Sequence, residues 1–195
     1  FFAAKYGAEV IGMDLSEAVV SAYVNTREFP NAHIIQGDIS QPPFKKCFDL
    51  IFSIGVLHHL PDPREGFRML VDLLKSKDEI FIWVYNRTSF TKYAEALRSI
   101  TTRLPLKVLY ALTYLHAAIV HYIFNGLYLR NTNLPLPFKY YAKFPFEVKH
   151  ADVFDRLSVP ITYYYSKSDI EEWFDTDFTD SWAISREDGG GIKGY

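Results

Sequence analysis

Over the first 85 residues, short apolar runs that end in a polar group alternate with longer segments of helical period. Glu9-Val10-Ile11-Gly12-Met13-Asp14 predicts a buried parallel strand closed by a carboxylate. Ser16 then caps a helix through Ala18, Val19, Ala22 and Tyr23 towards Phe29, where Pro30-Asn31 breaks the pattern. His33 to Asp38 predicts a second strand, and Phe48-Asp49-Leu50-Ile51-Phe52-Ser53 a third, with Pro42-Pro43 marking the loop between them. Asp62-Pro63-Arg64-Glu65 combines an N-cap acid, a proline at the first helical position and a capping-box glutamate. Phe67, Leu70, Val71 and Leu74 give the following helix one apolar face, and Ile80 to Tyr85 is a fourth, almost wholly apolar strand. Ahead of all this, Phe1 to Tyr6 reads as the last turns of a helix stopped by Gly7.

After Tyr85 the alternation stops. Residues 86–160 read as helical or irregular, punctuated by Pro105, Pro135, Pro137 and Pro145, and are too long for a plain connection. Alternation resumes at Ser166-Lys167-Ser168-Asp169, a second capping box, followed by an apolar stripe of Ile170, Trp173 and Phe174. Trp182-Ala183-Ile184 is a candidate strand and Gly189-Gly190-Gly191 a turn. The pattern predicts an α/β, Rossmann-like parallel sheet with helices on both faces, built from residues 1–85 and 161–195 around a mainly helical insertion at 86–160.

The 195 residues fit one domain, and 49% hydrophobic with 23% charged residues supplies an ordinary core. An aromatic share of 17% suits a large core or an apolar pocket. The net charge of −2 gives no global basic field, so no nucleic-acid partner is expected. The single cysteine, Cys47, excludes an internal disulfide and a thiolate metal site, which fits a reducing, cytoplasmic setting. No cluster has metal-ligand spacing; His116 and His121 are too far apart in sequence to share one helical face as an i, i+4 pair.

In doubly wound sheets, ligands bind at the carboxyl ends of the strands. Asp14 can there accept hydrogen bonds from both hydroxyls of an adenosine ribose, and Asp38 can reach an adenine amine, with Ile39 packing on the ring. Ser53-Ile54-Gly55-Val56-Leu57-His58-His59-Leu60, after the third strand, would form a wall of the pocket. His58 and His59 are the candidate general bases, because histidine titrates near neutrality.

Val10 to Asp14, Gly37-Asp38, Phe48 to Ile51 and Val56-Leu57-His58-His59-Leu60-Pro61-Asp62-Pro63 together resemble the class I S-adenosylmethionine-dependent methyltransferase family. The resemblance covers residues 1–85 and resumes near 160. It implies a seven-stranded sheet, six strands parallel, with S-adenosylmethionine across the strand tips. By position, Asp14 with Leu15 would hold the ribose, Asp38 with Ile39 the adenine, and Ser53 with Ile54 the methionine moiety. The family's first strand and glycine-rich turn would precede Phe1. Without them the sheet is expected to have a gap in its middle and the fragment to be inactive.

The insertion is expected to choose the substrate. Val108 to Leu129 is read as a cap helix over the pocket, with peripheral membrane contact as the alternative. Arg98, Arg103, Lys107 and Arg130 are flanking charges, solvated or facing lipid headgroups. On the return segment, Arg156, Tyr163 and Tyr164 are candidate substrate contacts. An aromatic-rich cap points to a small hydrophobic or amphipathic acceptor. The competing readings are a NAD-dependent oxidoreductase, a non-catalytic methyltransferase-like binding domain and a peripheral membrane protein.

Overall fold

The computed structural model describes residues 1–89, 91–130, 142–177, 184–186 and 191–194. In chain order these form α1 (Phe2–Lys5), β1 (Val10–Asp14), α2 (Ala18–Thr26), β2 (Ala32–Gln36) and β3 (Phe48–Ile54). A 3₁₀ turn at Leu57–His59 precedes α3 (Pro63–Asp72) and β4 (Leu74–Tyr85). The insertion contributes α4 (Thr91–Thr101), α5 (Leu106–Arg130) and α6 (Phe146–Ser158). The chain returns through α7 (Lys167–Asp177), β5 (Ile184–Arg186) and β6 (Gly191–Gly194). Trp182, Ala183, Gly189 and Gly190, named above as strand and turn, lie outside the described residues.

Local chemistry sets most element ends. Gly7 has a φ of 95°, and the bonds Gly7 N–H to Ala4 O and Ala8 N–H to Ala3 O close α1 as the sequence predicts. The Asp62 carboxylate accepts from Glu65 N–H at 3.0 Å and caps α3, while the Glu65 carboxylate meets Arg68. Ahead of α7 the box is complete: Ser166 N–H donates to Asp169 Oδ2 at 2.7 Å, and Asp169 N–H to Ser166 Oγ at 3.2 Å. Such a cap is worth about 1 kcal/mol.

One boundary differs from the sequence pattern. Leu74 continues the apolar stripe of α3, yet it opens β4, opposite Phe48 of β3. The N–H groups of Cys47 and Phe48 both donate to Leu73 O, so pairing with β3 captures backbone that periodicity assigns to the helix.

β1 and β2 pair in parallel, and so do β3 and β4; β6 runs antiparallel to both β4 and β5, in the order β3-β4-β6-β5. The sheet is divided between β1 and β3. Among the described residues each of these strands leaves one edge unpaired. The core lies on the intact side, where Phe67 and Leu70 of α3, Ile80, Ile82 and Val84 of β4, and Ile170, Trp173 and Phe174 of α7 are buried together. Leu50, Phe52 and Ile54, alternate residues of β3, are instead more than half exposed along the division.

In the insertion, α5 packs on α6. Among its described side chains Leu109, Thr113 and Ala117 are buried, whereas Leu112, Leu115 and Ile119 are exposed. Leu106–Ile123 is long and apolar enough to cross a membrane and only 17% of that window is buried. None of its described side chains is among the lining of the cleft described below. The buried ammonium of Lys149 joins the two helices by donating to Asn125 Oδ1 at 3.2 Å and Ala142 O at 3.0 Å, beside His121.

Candidate active site

The divided sheet encloses a cleft of about 440 Å³. Its walls include Gly12 and Met13 of β1, Ile34 of β2, Ile39, and Ser53 and Ile54 of β3. Asp14 and Asp38 stand at the carboxyl ends of the adjacent strands β1 and β2, and both are exposed. Each carboxylate is held by a turn of its own segment. Asp14 Oδ1 accepts from Ser16 N–H at 2.8 Å and Ser16 Oγ at 2.6 Å. Asp38 Oδ1 accepts from Ser40 Oγ at 2.6 Å and Ser40 N–H at 2.9 Å, and these bonds hold its pKa below the ordinary value. Both turns engage Oδ1, so Oδ2 of each acid can accept from a ligand. Leu15 is exposed beside Asp14, and its carbonyl fixes Gln36. The Ser53 hydroxyl is buried without a hydrogen-bond partner.

A second group of residues lies at the carboxyl ends of β3 and β4. Gly55, at a φ of 77°, turns the chain out of β3, and its N–H donates to Trp83 O at 3.0 Å. The turn that follows buries His58 completely, its ring 4.1 Å from the centre of Tyr85. Neither ring nitrogen of His58 has a hydrogen-bond partner. Burial, with the charges of His59 and Arg98 adding to it, pushes its pKa down to about 3, so His58 is neutral near pH 7. His59 holds the return segment: its Nδ1 lies 2.8 Å from Ile161 O and 3.0 Å from Thr162 Oγ1.

Backbone bonds continue that seam. Tyr163 N–H donates to His58 O, Tyr165 N–H to Tyr85 O and Arg87 N–H to Tyr165 O, all within 2.9 Å. The exposed Tyr163 donates its hydroxyl to Pro61 O at 3.3 Å. Tyr164 stacks on Tyr85 at 5.9 Å, and the Arg156 guanidinium lies 5.3 Å from the centre of the same ring. Burial raises the Tyr85 pKa, so its phenol stays protonated.

All the sequence-derived candidates therefore fall at strand carboxyl ends, but in two groups. Ile39, Ser53 and Ile54 line the cleft and Asp14, Leu15 and Asp38 lie at or just after the ends of β1 and β2, whereas His58, His59, Arg156, Tyr163 and Tyr164 gather around Tyr85. Tyr85 and Arg98 were not selected from the sequence. Tyr85 ends β4 as Asp14 ends β1, so the strand-end rule applied to the fourth strand points to it. Arg98, read from the sequence as a solvated or headgroup-facing charge, is instead 7% exposed and donates to the Tyr164 hydroxyl at 3.3 Å. The pairing spans 66 residues of sequence and leaves no local signal.

Residues 1–82 match the family model described as a methyltransferase domain. The tRNA U34 carboxymethyltransferases of Pseudoalteromonas atlantica and Psychromonas ingrahamii are 30% and 33% identical over 76 and 81 residues. These matches cover 37% and 39% of this chain but only 24% and 25% of the relatives. Among solved structures, an S-adenosylmethionine-dependent methyltransferase from Thermotoga maritima superposes with a TM-score of 0.55 at 10% identity, over 99% of this chain and 74% of that one. The fold is thus the Rossmann-like one expected. The partner expectation is corrected: with these two relatives named for a tRNA, an acceptor confined to small molecules and the exclusion of nucleic acid do not stand. That exclusion rested on net charge averaged over the whole chain, which hides a local basic segment.

Proposed function

We propose that this chain, whose residues 1–82 match the methyltransferase-domain model, belongs to a class I S-adenosylmethionine-dependent methyltransferase that transfers a methyl group from that cofactor to a base of an RNA. The observation that carries the transfer is the pair of strand-end carboxylates, Asp14 and Asp38, each with Oδ1 held by its own turn and Oδ2 left to accept from a ligand. Those groups suit an adenosine: Asp14 for the ribose hydroxyls, Asp38 for the adenine amine, Ile39 against the ring, and Ser53 with Ile54 beside the methionine part. The cofactor, when bound, supplies an electrophilic carbon on a sulfonium.

This chain's own residues bind, orient and exclude water. Tyr85, Trp83 and the buried His58 form an aromatic cluster at the carboxyl ends of β3 and β4, and a planar base can stack on the part of it that Tyr85 leaves open. His58 is neutral and buried, and in this reading it contributes shape and one N–H donor. His59 and Tyr163 pin the return segment against this cluster, which makes alignment the main catalytic contribution. The RNA acceptor is supported by the names of the two relatives. It also draws on exposed Lys92, Tyr93, Arg103 and Lys107 on α4, α5 and their junction, a stretch in which Glu95 is the single acid. A tRNA acceptor places the protein in the cytoplasm.

The test is a transfer assay on the full-length protein with tritiated-methyl cofactor and bulk tRNA. Ribonuclease-sensitive, acid-precipitable label is expected, and at cofactor concentrations below saturation it should fall steeply with Asp14→Ala. Cofactor binding without label in RNA would overturn the acceptor. No cofactor binding by the folded full-length protein would overturn the transfer itself.

A further inference from the structure

A buried guanidinium needs an anion or a full set of acceptors, because an unpaired buried charge is strongly destabilising. Arg98 of α4 is 7% exposed, and its Nε has no hydrogen-bond partner. Among the described residues no carboxylate ion-pairs with it; its side chain meets the Tyr164 hydroxyl at 3.3 Å. That hydroxyl accepts from Arg98 and so keeps its own proton to donate.

His58 is the second, independent observation. Its ring is fully buried with both nitrogens unpartnered, although a neutral imidazole always carries one N–H donor. His58 and Tyr164 both lie against the Tyr85 ring, and the Arg98 charge is close enough to bear on His58. One buried cation and two neutral donors are thus grouped at the carboxyl end of β4. Buried polar groups left without partners in this way mark a place for a ligand oxygen.

We infer that Arg98, Tyr164 and His58 form a subsite for an anionic oxygen group, a phosphate or carboxylate, carried by the acceptor substrate. The assignment to the acceptor rests on the proposed transfer reaction; the affinity for an anion does not. Arg98 supplies the charge, while the hydroxyl of Tyr164 and the N–H of His58 give direction. Asp14 and Asp38 repel an anion from the cleft on the other side of β3. The subsite therefore orients an acceptor by drawing its charged group to the β4 end.

The experiment measures thermal unfolding of the full-length protein in inorganic phosphate and in acetate, each against chloride at equal ionic strength. A bound anion raises the melting temperature with concentration. A rise of several degrees in phosphate alone identifies a phosphate subsite, and a rise in acetate alone a carboxylate subsite. Arg98→Met, which keeps the stem and removes the charge, should abolish the rise and melt higher than wild type in chloride. Tyr164→Phe keeps the stacked ring and should reduce the rise at least two-fold; it decides the matter if Arg98→Met does not fold. An unchanged anion response in the folded Arg98→Met protein, or no response in wild type, would overturn the subsite. An Arg98-dependent response in a protein that fails to bind S-adenosylmethionine would keep the subsite and discard the transfer reaction.

Discussion

The two groups of candidate residues are built in opposite ways. On the proposed cofactor side, Asp14 and Asp38 are exposed and fixed by hydrogen bonds from serines two residues away. On the proposed acceptor side, His58, Tyr85, Arg98 and Tyr164 are buried or half-buried, and the Arg98–Tyr164 bond joins segments 66 residues apart. A side chain fixed by its own turn can change without disturbing the fold, so its loss is felt in ligand affinity. A residue that joins distant segments carries stability as well as chemistry. The contrast is that locally held residues can govern affinity while residues bonded across the chain govern stability.

The sharpest break of that contrast is Tyr85→Ala. It removes the ring on which His58 and Tyr164 rest, and should cost about 3 kcal/mol of stability. Urea unfolding checks this; a loss no greater than an exposed-site change would remove Tyr85 from the centre of the acceptor side. Asp14→Ala should do the reverse. Affinity for S-adenosylmethionine is expected to drop by about 2 kcal/mol, roughly thirty-fold, with stability within about 0.5 kcal/mol of wild type. Calorimetric titration beside a melting curve separates the two effects.

The pH dependence sharpens the same contrast. His58 has a folded pKa of about 3, far below that of the unfolded chain. Above the unfolded value of about 6.5 the group contributes no pH dependence. As the pH falls below it, the unfolded chain takes up a proton that the folded chain refuses, and stability declines until the folded pKa is reached. At pH 5 the loss attributable to His58 should be about 2 kcal/mol. Comparing wild type with His58→Phe from pH 8 to pH 5 isolates it; parallel curves would show that the ring is not held neutral. The smallest effect is expected at Ser166→Ala, about 1 kcal/mol from the cap of α7, with cofactor affinity unchanged.

These differences explain which parts were legible in the sequence. The alternation of strands and helices from Val10 to Tyr85 was readable because burial of parallel strands writes itself as apolar runs. The caps at Asp62 and Ser166 were readable because an N-cap and its partner are three residues apart. The end of α3 was not, since Leu74 satisfies the helical stripe equally well until β3 competes for its backbone. The apolar stretch of α5 was visible, but its mostly exposed outer face was not, because periodicity says nothing about what packs where. Exclusion of a nucleic-acid partner failed for a related reason: net charge is a sum, and recognition depends on where charges lie.

What the sequence determined alone is the set of features whose partners are near in the chain: the strand tips, the helix caps, and Asp14 and Asp38 held by Ser16 and Ser40. What only the tertiary structure decided is the acceptor side, where α4 delivers Arg98 to Tyr164 and the return segment delivers Tyr163 to His58. The reason is that burial and long-range pairing change what a residue is. The same arginine is a solvated charge on an isolated helix and an unpaired buried cation once α4 and the return segment close over it.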